Sequence, residues 1–306
     1  MEAGAKGTLG MARRCAEAFF FGNWFYGVCA VALGVEAALQ QRVPLNGPLF
    51  HIILYLGATA FYDLAYRHLP ASEGKDERTQ WYVRHAGTRR WVQHVLWAAL
   101  VVCIGLVLRD AWHARASVRW EQLALLVLFP FVGLLYYGTG SKGLRRIGWL
   151  KPFVLGFVWA GVVTVYPALM ARLLDGAVVP DVGISVRLFF KNMMFCALIG
   201  MLFDIKDHAD DHRNALRTFI VERGLRTTLF RIALPMAALG LMTFLYYGAT
   251  HGFSTMKLVL NTIPFVAMAG VIYALRKRRS ILYYLVVVDG LLVVKAVCGS
   301  VAMRWF

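Results

Sequence analysis

Long apolar stretches follow one another along almost the whole chain, and this succession limits the fold more than any other feature. A helix that crosses a bilayer needs about 20 mostly apolar residues, each adding about 1.5 Å to its length. Nine stretches meet this requirement: 17–40, 48–66, 92–108, 118–138, 152–172, 184–204, 229–249, 258–275 and 281–303. They leave no room for a separate soluble domain of useful size. We therefore predict an all-α, polytopic membrane protein, with about nine transmembrane helices in one domain that covers residues 1–306.

The composition supports the same class of protein. Hydrophobic residues make up 59% of the chain and charged residues 16%, whereas soluble domains average about 45–50% apolar residues. Long unbroken apolar stretches are not the alternating ten-residue segments typical of a membrane β-barrel. The first stretch is longer than the apolar core of a signal peptide, so we interpret it as the first span.

The distribution of basic residues predicts the orientation. With the N-terminus in the cytoplasm, most of the 33 Lys and Arg residues fall in cytoplasmic segments. The outside segments hold seven: Arg42, Arg109, Arg115, Arg119, Arg172, Lys257 and Arg304. This bias follows the positive-inside rule and indicates a multi-pass protein of the inner, cytoplasmic membrane. The net charge of +16 is therefore explained by the membrane topology. It indicates the lipid bilayer, and not nucleic acid, as the partner of these basic residues.

Two of the predicted cytoplasmic segments are rich in acids as well as bases. They are residues 67–90, between the second and third spans, and residues 204–226, between the sixth and seventh. A third cytoplasmic segment, residues 138–151, is rich in glycine and basic residues. Functional residues concentrate in such segments beside rigid apolar spans, so we expect the site there. The sequence does not indicate an oligomeric state.

Three aspartates at the end of the sixth apolar stretch form the strongest chemical signal. If the helix continues through them, Asp204, Asp207 and Asp211 lie within about 60° of one another around its axis. Three carboxylates on one face repel each other, and a magnesium ion, which binds oxygen ligands together with substrate phosphates, would relieve that repulsion. The simpler alternative is a solvated acidic helix end.

These aspartates and the residues after them resemble a known motif. The pattern Asp204-x-x-Asp207-x-x-x-Asp211, followed by Arg217 and Thr218, is similar to the second Asp-rich motif of the UbiA superfamily of intramembrane prenyltransferases. The resemblance implies a nine-span bundle with two Asp-rich motifs, on the cytoplasmic segments after the second and sixth spans. It also implies that the aspartates hold Mg²⁺ and are catalytic.

The first motif of that superfamily is only partly present. In the corresponding stretch Asp63 remains, while Tyr66 and Pro70 stand where the later acids are expected. By the resemblance, Asp63 is the metal ligand of this half. Shifted carboxylates are an alternative source of ligands: Glu73, Asp76 and Glu77. The other interpretation is that this half of the site binds metal weakly or not at all, and that Arg67 contacts the diphosphate directly as a fixed cation.

Four basic residues are candidates for binding the substrate diphosphate: Arg67, Arg78, Lys142 and Arg217. The resemblance places a basic residue near the diphosphate after the fourth span and after each Asp-rich motif. Cations form strong charge-assisted hydrogen bonds with phosphate oxygens. The alternative for Arg67 is an anchor at the lipid headgroups, and the positive-inside bias explains basic residues after the fourth span equally well.

Several ionisable residues fall inside the apolar stretches: Glu36, Arg187, Lys191, Asp289 and Lys295. Charged groups are costly in hydrocarbon, so they usually face the bundle interior or form pairs. Asp289 and Lys295 are six positions apart and share a helix face poorly, so each needs another partner. These residues either line an acceptor pocket or support the structure.

The resemblance implies an enzyme that binds an isoprenoid diphosphate through Mg²⁺ and transfers the prenyl group to a lipophilic acceptor of aromatic type. A terpene cyclase of the same superfamily, or a non-catalytic protein that binds polyprenyl lipids, are alternatives. A secondary transporter is a further alternative, but transporters place their charged site near the middle of the membrane. Here the acids lie at the predicted cytoplasmic boundary.

Overall fold

The structure, a computed structural model, describes residues 2–65, 77–113, 118–137, 143–144, 147–176, 181–213 and 216–306. Within these ranges the chain folds into helices joined by short connections, and none of the described residues is in a β-strand. The prediction of an all-α membrane protein is confirmed. The α-helices are α1 (Glu2–Phe21), α2 (Trp24–Gln40), α3 (Pro48–Ala65), α4 (Glu77–Arg84), α5 (Ala86–His113), α6 (Trp120–Tyr137), α7 (Lys151–Ala160), α8 (Tyr166–Asp175), α9 (Val182–Arg213), α10 (Phe219–Arg223), α11 (Leu225–Thr227), α12 (Leu234–Thr250), α13 (Thr255–Ala274), α14 (Ile281–Tyr283) and α15 (Gly290–Trp305).

Helices long and apolar enough to cross a membrane number six in the described residues, or seven if a bent pair counts as one span. The six are Ala86–His113, Lys151–Leu174, Val182–His208, Leu225–Thr250, Thr255–Ala274 and Ile281–Trp305. Two shorter apolar helices, Pro48–Leu64 and Trp120–Tyr136, do not reach the length required of a full span. The fold is therefore that of a multi-pass membrane protein, while the predicted total of nine spans is not confirmed.

The first predicted span is broken rather than continuous. Helices Arg13–Phe21 and Trp24–Gln40 meet at an angle of 64°. Between them Asn23 has a φ of 67°, in the left-handed region that asparagine tolerates better than most residues. The sequence Gly22-Asn23 therefore interrupts a stretch whose hydropathy alone predicts one helix.

Three of the spans contain a wider, π-helical turn. These turns are Gly161–Val165, Thr228–Ala233 and Tyr284–Val288. Two of them are followed at once by a helix with proline in its first turn, Pro167 in α8 and Pro235 in α12. A proline lacks the N–H donor and its ring collides with the carbonyl one turn earlier, so a widened turn before it accommodates the ring.

The chain divides into two compact units, which we describe separately. The first unit comprises Met1–Val28 and Pro48–Leu108, and the second comprises Cys29–Gly47 and Arg109–Phe306. The first acidic motif belongs to the first unit and the second acidic motif to the second. The single transmembrane domain remains a prediction.

In the second unit, α7 and α9 approach each other closely. A side chain at Gly156 of α7 would overlap the main-chain oxygen of Met193 in α9. A Cβ at Gly200 of α9 would lie 3.5 Å from the Cα of Pro152 in α7. The contact at Gly156 is too close for a Cβ, so glycine is required there, whereas the distance at Gly200 is an ordinary van der Waals contact. The first turn of α7 therefore lies beside the C-terminal part of α9.

Candidate functional site

The three aspartates of the second motif lie on one continuous helix. Helix α9 extends to Arg213, so it runs through the motif, as the spacing argument requires. Asp204 is 3% exposed and Asp211 is 5% exposed, while Asp207 is half-buried. Burying carboxylates is costly unless a partner compensates the charge, so a cation is expected beside this helix end.

Lys151 supplies that cation. Its Nζ lies 2.5 Å from Oδ1 of Asp204 and 3.6 Å from Oδ2 of Asp211. The lysine side chain is 12% exposed, so the ion pair is largely shielded from solvent. A single ammonium group is therefore shared by two carboxylates that lie two helical turns apart, and it compensates one of their two negative charges.

The chain before α7 fixes the position of this lysine. Lys151 is the first residue of α7, and Pro152 follows it at a position where proline favours helix initiation. A side chain at Gly148 would overlap the backbone of Arg217 and Thr218, so the segment leading into α7 lies against the segment that follows α9. This contact brings Arg217 and Thr218 to the same end of the bundle as Lys151.

Asp207 has a different basic partner. Its Oδ1 lies 2.7 Å from Nζ of Lys206, and the two side chains are 34% and 18% exposed. This pair is more accessible than the pair of Lys151 with Asp204. Each of the three aspartates therefore lies within 3.6 Å of a lysine.

Some buried oxygen atoms at this end of α9 have no hydrogen-bond partner among the described residues. They include Oδ2 of Asp204 and Oγ1 of Thr218. Thr218 is fully buried, whereas the side chain of Arg217 is exposed. Buried polar groups usually have partners, and those that lack one often mark a functional position.

The ligand types suit a magnesium ion, but their arrangement does not fit one. Mg²⁺ favours carboxylate oxygens in octahedral geometry. In the described part of the chain, no group of three His, Cys, Asp or Glu residues converges on a common point. The place between Asp204 and Asp211 is taken by the ammonium group of Lys151.

In the first unit, Asp63 also has a basic partner. It is 5% exposed, and Arg89 donates two hydrogen bonds to its Oδ1, of 2.6 Å from Nη2 and 3.1 Å from Nε. The guanidinium carbon of Arg89 also lies 3.8 Å from the centre of the Tyr82 ring, a cation–π arrangement. The carboxylate that the resemblance assigns to metal is thus bound by arginine.

Arg78 is buried in a hydrogen-bonded group of the first unit. It is 2% exposed and donates to Oδ1 of Asn23 over 2.6 Å and to the Tyr82 hydroxyl over 2.9 Å. The Tyr82 hydroxyl in turn donates to the main-chain oxygen of Phe21. These contacts show what Arg78 does for the fold, while its contact with diphosphate remains a prediction.

Some of the predicted residues lie outside the described residues. Among the diphosphate candidates these are Arg67 and Lys142, and among the shifted or replaced acids of the first motif they are Tyr66, Pro70, Glu73 and Asp76. Glu77 is described, and it is exposed at the start of α4. Of the four predicted basic ligands, only Arg217 lies in the described part of the chain and has an exposed side chain.

Sequence reasoning assigned no site role to two of the basic residues that pair with the predicted metal ligands, Lys151 and Arg89. Lys151 and Arg89 count in the sequence only as cytoplasmic basic residues. The sequence does place Lys151 at the start of an apolar helix, because it directly precedes Pro152 and the apolar stretch that follows. Its partner Asp204 lies on another helix, so only the close packing of α7 against α9 reveals the pair.

Comparisons with known proteins give one structural match. The sequence matches no protein-family profile and no curated protein. The solved structure of a digeranylgeranylglyceryl phosphate synthase in membranes aligns with 96% of this chain and 100% of its own, with a TM-score of 0.57 and 11% identity. A structural match at such a low identity supports a common fold, but it does not show a common reaction. The chain therefore shares the all-helical membrane fold of that structure.

Proposed function

We propose that this chain is an intramembrane prenyltransferase of the UbiA type. It binds an isoprenoid diphosphate at the C-terminal end of α9 and transfers the prenyl group to a lipophilic acceptor of aromatic type. The observation that carries this proposal is the group of buried aspartates at the end of one span, in a chain whose fold matches a membrane synthase over 96% of its length. The N-terminus and both acidic motifs are proposed to face the cytoplasm at the inner membrane.

The proposed reaction breaks the bond between the allylic carbon and the diphosphate oxygen. The diphosphate leaves with the bonding electrons, the acceptor forms a new bond to the allylic carbon, and the acceptor loses a proton. The apolar helices exclude water, which would otherwise capture the allylic cation. Arg217, whose exposed side chain lies at the same end of the bundle as Lys151, is the proposed cation for the phosphate oxygens.

Magnesium remains the sequence prediction for Asp63, Asp204, Asp207 and Asp211. When bound, such an ion would neutralise the diphosphate as a leaving group. It can bind Asp204 and Asp211 together only if Nζ of Lys151 moves away from them.

A second candidate function is the binding of polyprenyl lipids without catalysis. The specific observation in its favour is that Arg89 and Lys151 neutralise the predicted metal ligands of both motifs. A terpene cyclase differs from a transferase in needing no acceptor. The position of the aspartates near the end of α9, rather than at its middle, disfavours a transporter.

The test is release of diphosphate by the purified protein from prenyl diphosphates of several lengths, with and without magnesium and a panel of aromatic acceptors. We expect acceptor-dependent release that Asp204→Asn or Asp207→Asn lowers by about 100-fold or more, since each removes a charge at the reacting group. Asp110→Asn is the matched control, because Asp110 is exposed on α5 and pairs only with its neighbour Arg109 among the described contacts.

The outcomes separate the candidates. Release without any acceptor indicates cyclisation when the product is a cyclic terpene rather than the prenyl alcohol that water would give. Binding of prenyl diphosphate with no release under any condition indicates the non-catalytic function, and undiminished release by Asp204→Asn rejects the proposed site.

A further inference from the structure

We propose that the ammonium group of Lys151 takes the place of a divalent cation on the second acidic motif, so that this half of the site holds no metal ion of its own. The inference concerns the site of the proposed function, and it rests on that function only for its consequence in catalysis. Its evidence is the geometry around Asp204, and its test is metal binding.

The Nζ atom of Lys151 lies between the two buried carboxylates of the motif. The atom lies 2.5 Å from an oxygen of Asp204 and 3.6 Å from an oxygen of Asp211. These two carboxylates come from positions seven residues apart, and nothing in the helix itself would draw them to one point. A cation between them is what stabilises their burial at 3% and 5% exposure.

The lysine is held in place by backbone contacts rather than by its side chain alone. Gly148 lies against the backbone of Arg217, and Gly156 lies against the backbone of Met193. Lys151 sits between these two contacts, at the first residue of α7. Its ammonium group is therefore tethered beside Asp204 at a high effective concentration, and a free ion must compete with it.

The remaining charge also disfavours a metal ion. Lys206 pairs with Asp207 over 2.7 Å, so two lysines lower the net charge of the three aspartates and their partners to −1, which weakens the attraction for a divalent ion. In the other unit, Arg89 binds Asp63, the one acid that remains of the first motif. Every aspartate that the resemblance assigns to magnesium thus has a basic partner from the protein itself.

Oδ2 of Asp204 is an oxygen that could bind a metal ion in a variant that lacks the Lys151 ammonium group. This oxygen is buried and has no hydrogen-bond partner among the described residues, so the carboxylate keeps a coordination position that Lys151 does not use. Removing the ammonium group would leave the buried carboxylates uncompensated, and a divalent ion is the simplest replacement.

The test measures Mn²⁺ binding to the purified full-length protein by electron paramagnetic resonance, with Mn²⁺ as a spectroscopic substitute for Mg²⁺. We expect no tight site in the natural protein and none in Lys151→Arg, which keeps the positive charge. Lys151→Met should raise the Mn²⁺ affinity by about tenfold or more, because it removes the competing cation from a buried site. Adding Asp204→Asn to Lys151→Met should abolish the gain.

Three results would overturn the proposal. They are a Mn²⁺ site in the natural protein that Asp204→Asn removes, a Lys151→Met protein that melts cooperatively but gains no site, and a gain that persists without Asp204. If Lys151→Met does not fold, the measurements on the natural protein and Lys151→Arg decide, because a metal site in either contradicts the substitution of lysine for metal. None of these readings requires turnover, so failure of the prenyltransferase proposal is recognised separately by absent diphosphate release.

Discussion

Helix α9 carries two buried polar groups with opposite imbalances of charge. At its C-terminal end, Asp204 and Asp211 share Lys151. Near its middle, Lys191 belongs to a cluster with Glu36, Gln40 and Lys295, in which two cations share one carboxylate. Lys191 and Asp204 are 13 positions apart, which corresponds to about 20 Å along the helix.

The middle cluster is closed by its own hydrogen bonds. Glu36 receives Lys295 Nζ on Oε2 over 2.5 Å and Gln40 Nε2 on Oε1 over 2.8 Å. Lys191 donates to Oε1 of Gln40 over 2.7 Å. Glu36 is fully buried, and a side chain at Gly299 of α15 would overlap it.

The difference separates a structural group from a candidate site. Both oxygens of Glu36 are used inside the bundle, whereas Asp204 keeps one oxygen without a partner among the described residues. Fully satisfied buried networks make a fold specific, while an incompletely satisfied one at a helix end suits a ligand. The alternative that the central charges support the structure is therefore favoured for Glu36 and Lys295.

The largest effect is expected from Lys295→Met, which acts on the cluster around Glu36. Because it leaves the buried carboxylate of Glu36 with a poorer partner, we expect a loss of about 3–5 kcal/mol in the free energy of unfolding. Thermal unfolding of the protein in detergent measures the loss. The matched control is Lys277→Met, at an exposed lysine between α13 and α14. Adding Glu36→Gln should restore part of the stability, and a Lys295→Met protein as stable as the control would contradict the structural role.

A smaller effect is expected from Gly148→Ala, which acts on the end of α9 through the backbone. The added methyl group would overlap the backbone of Arg217 and Thr218, so we expect a destabilisation of about 1–3 kcal/mol. The rate of the proposed prenyl transfer should also fall, because the segment that positions Lys151 must move.

Gly270→Ala is the control for this change. Gly270 lies within α13 with open space around its Cα, so alanine there should be neutral or stabilise by up to about 1 kcal/mol. Equal unfolding temperatures of Gly148→Ala and Gly270→Ala would show that the backbone contact at Gly148 does not matter.

The smallest effect is expected from the surface pair of Arg109 and Asp110. The guanidinium and carboxylate are 2.9 Å apart, but their side chains are 61% and 51% exposed. Exposed pairs contribute little because water and salt screen them, so Arg109→Met should change the free energy of unfolding by less than about 0.5 kcal/mol. A loss as large as that of Lys295→Met would mean that burial does not explain the contrast between the pairs.

Hydropathy and spacing predict the parts of this fold that depend on neighbouring residues. The all-α class follows from the apolar stretches, and the extension of α9 through the motif agrees with the helical spacing of Asp204, Asp207 and Asp211. The sequence also indicates that Lys295 needs a partner beyond Asp289. It cannot name Glu36, because the two residues are 259 positions apart and meet only through tertiary packing.

The candidate site is predictable to a lesser degree for the same reason. The acids are visible as a local pattern, but the cation among them is not. Lys151 is 53 positions from Asp204, and the two meet because small residues let α7 and α9 approach. Hydropathy likewise averages over Gly22-Asn23, so it misses the break in the first span.

That break links backbone conformation to the charge at the first motif. Where the helix stops, the carbonyl of Phe21 accepts a hydrogen bond from the Tyr82 hydroxyl, and the ring of Tyr82 lies under the guanidinium that binds Asp63. In an uninterrupted helix that carbonyl would accept a hydrogen bond from within the helix, and the Tyr82 hydroxyl would lose it as an acceptor. The break in the helix thus helps to position Tyr82 beneath Arg89. Straightening the first helix would change the position of the cation that pairs with Asp63, which lies 40 positions further along the chain.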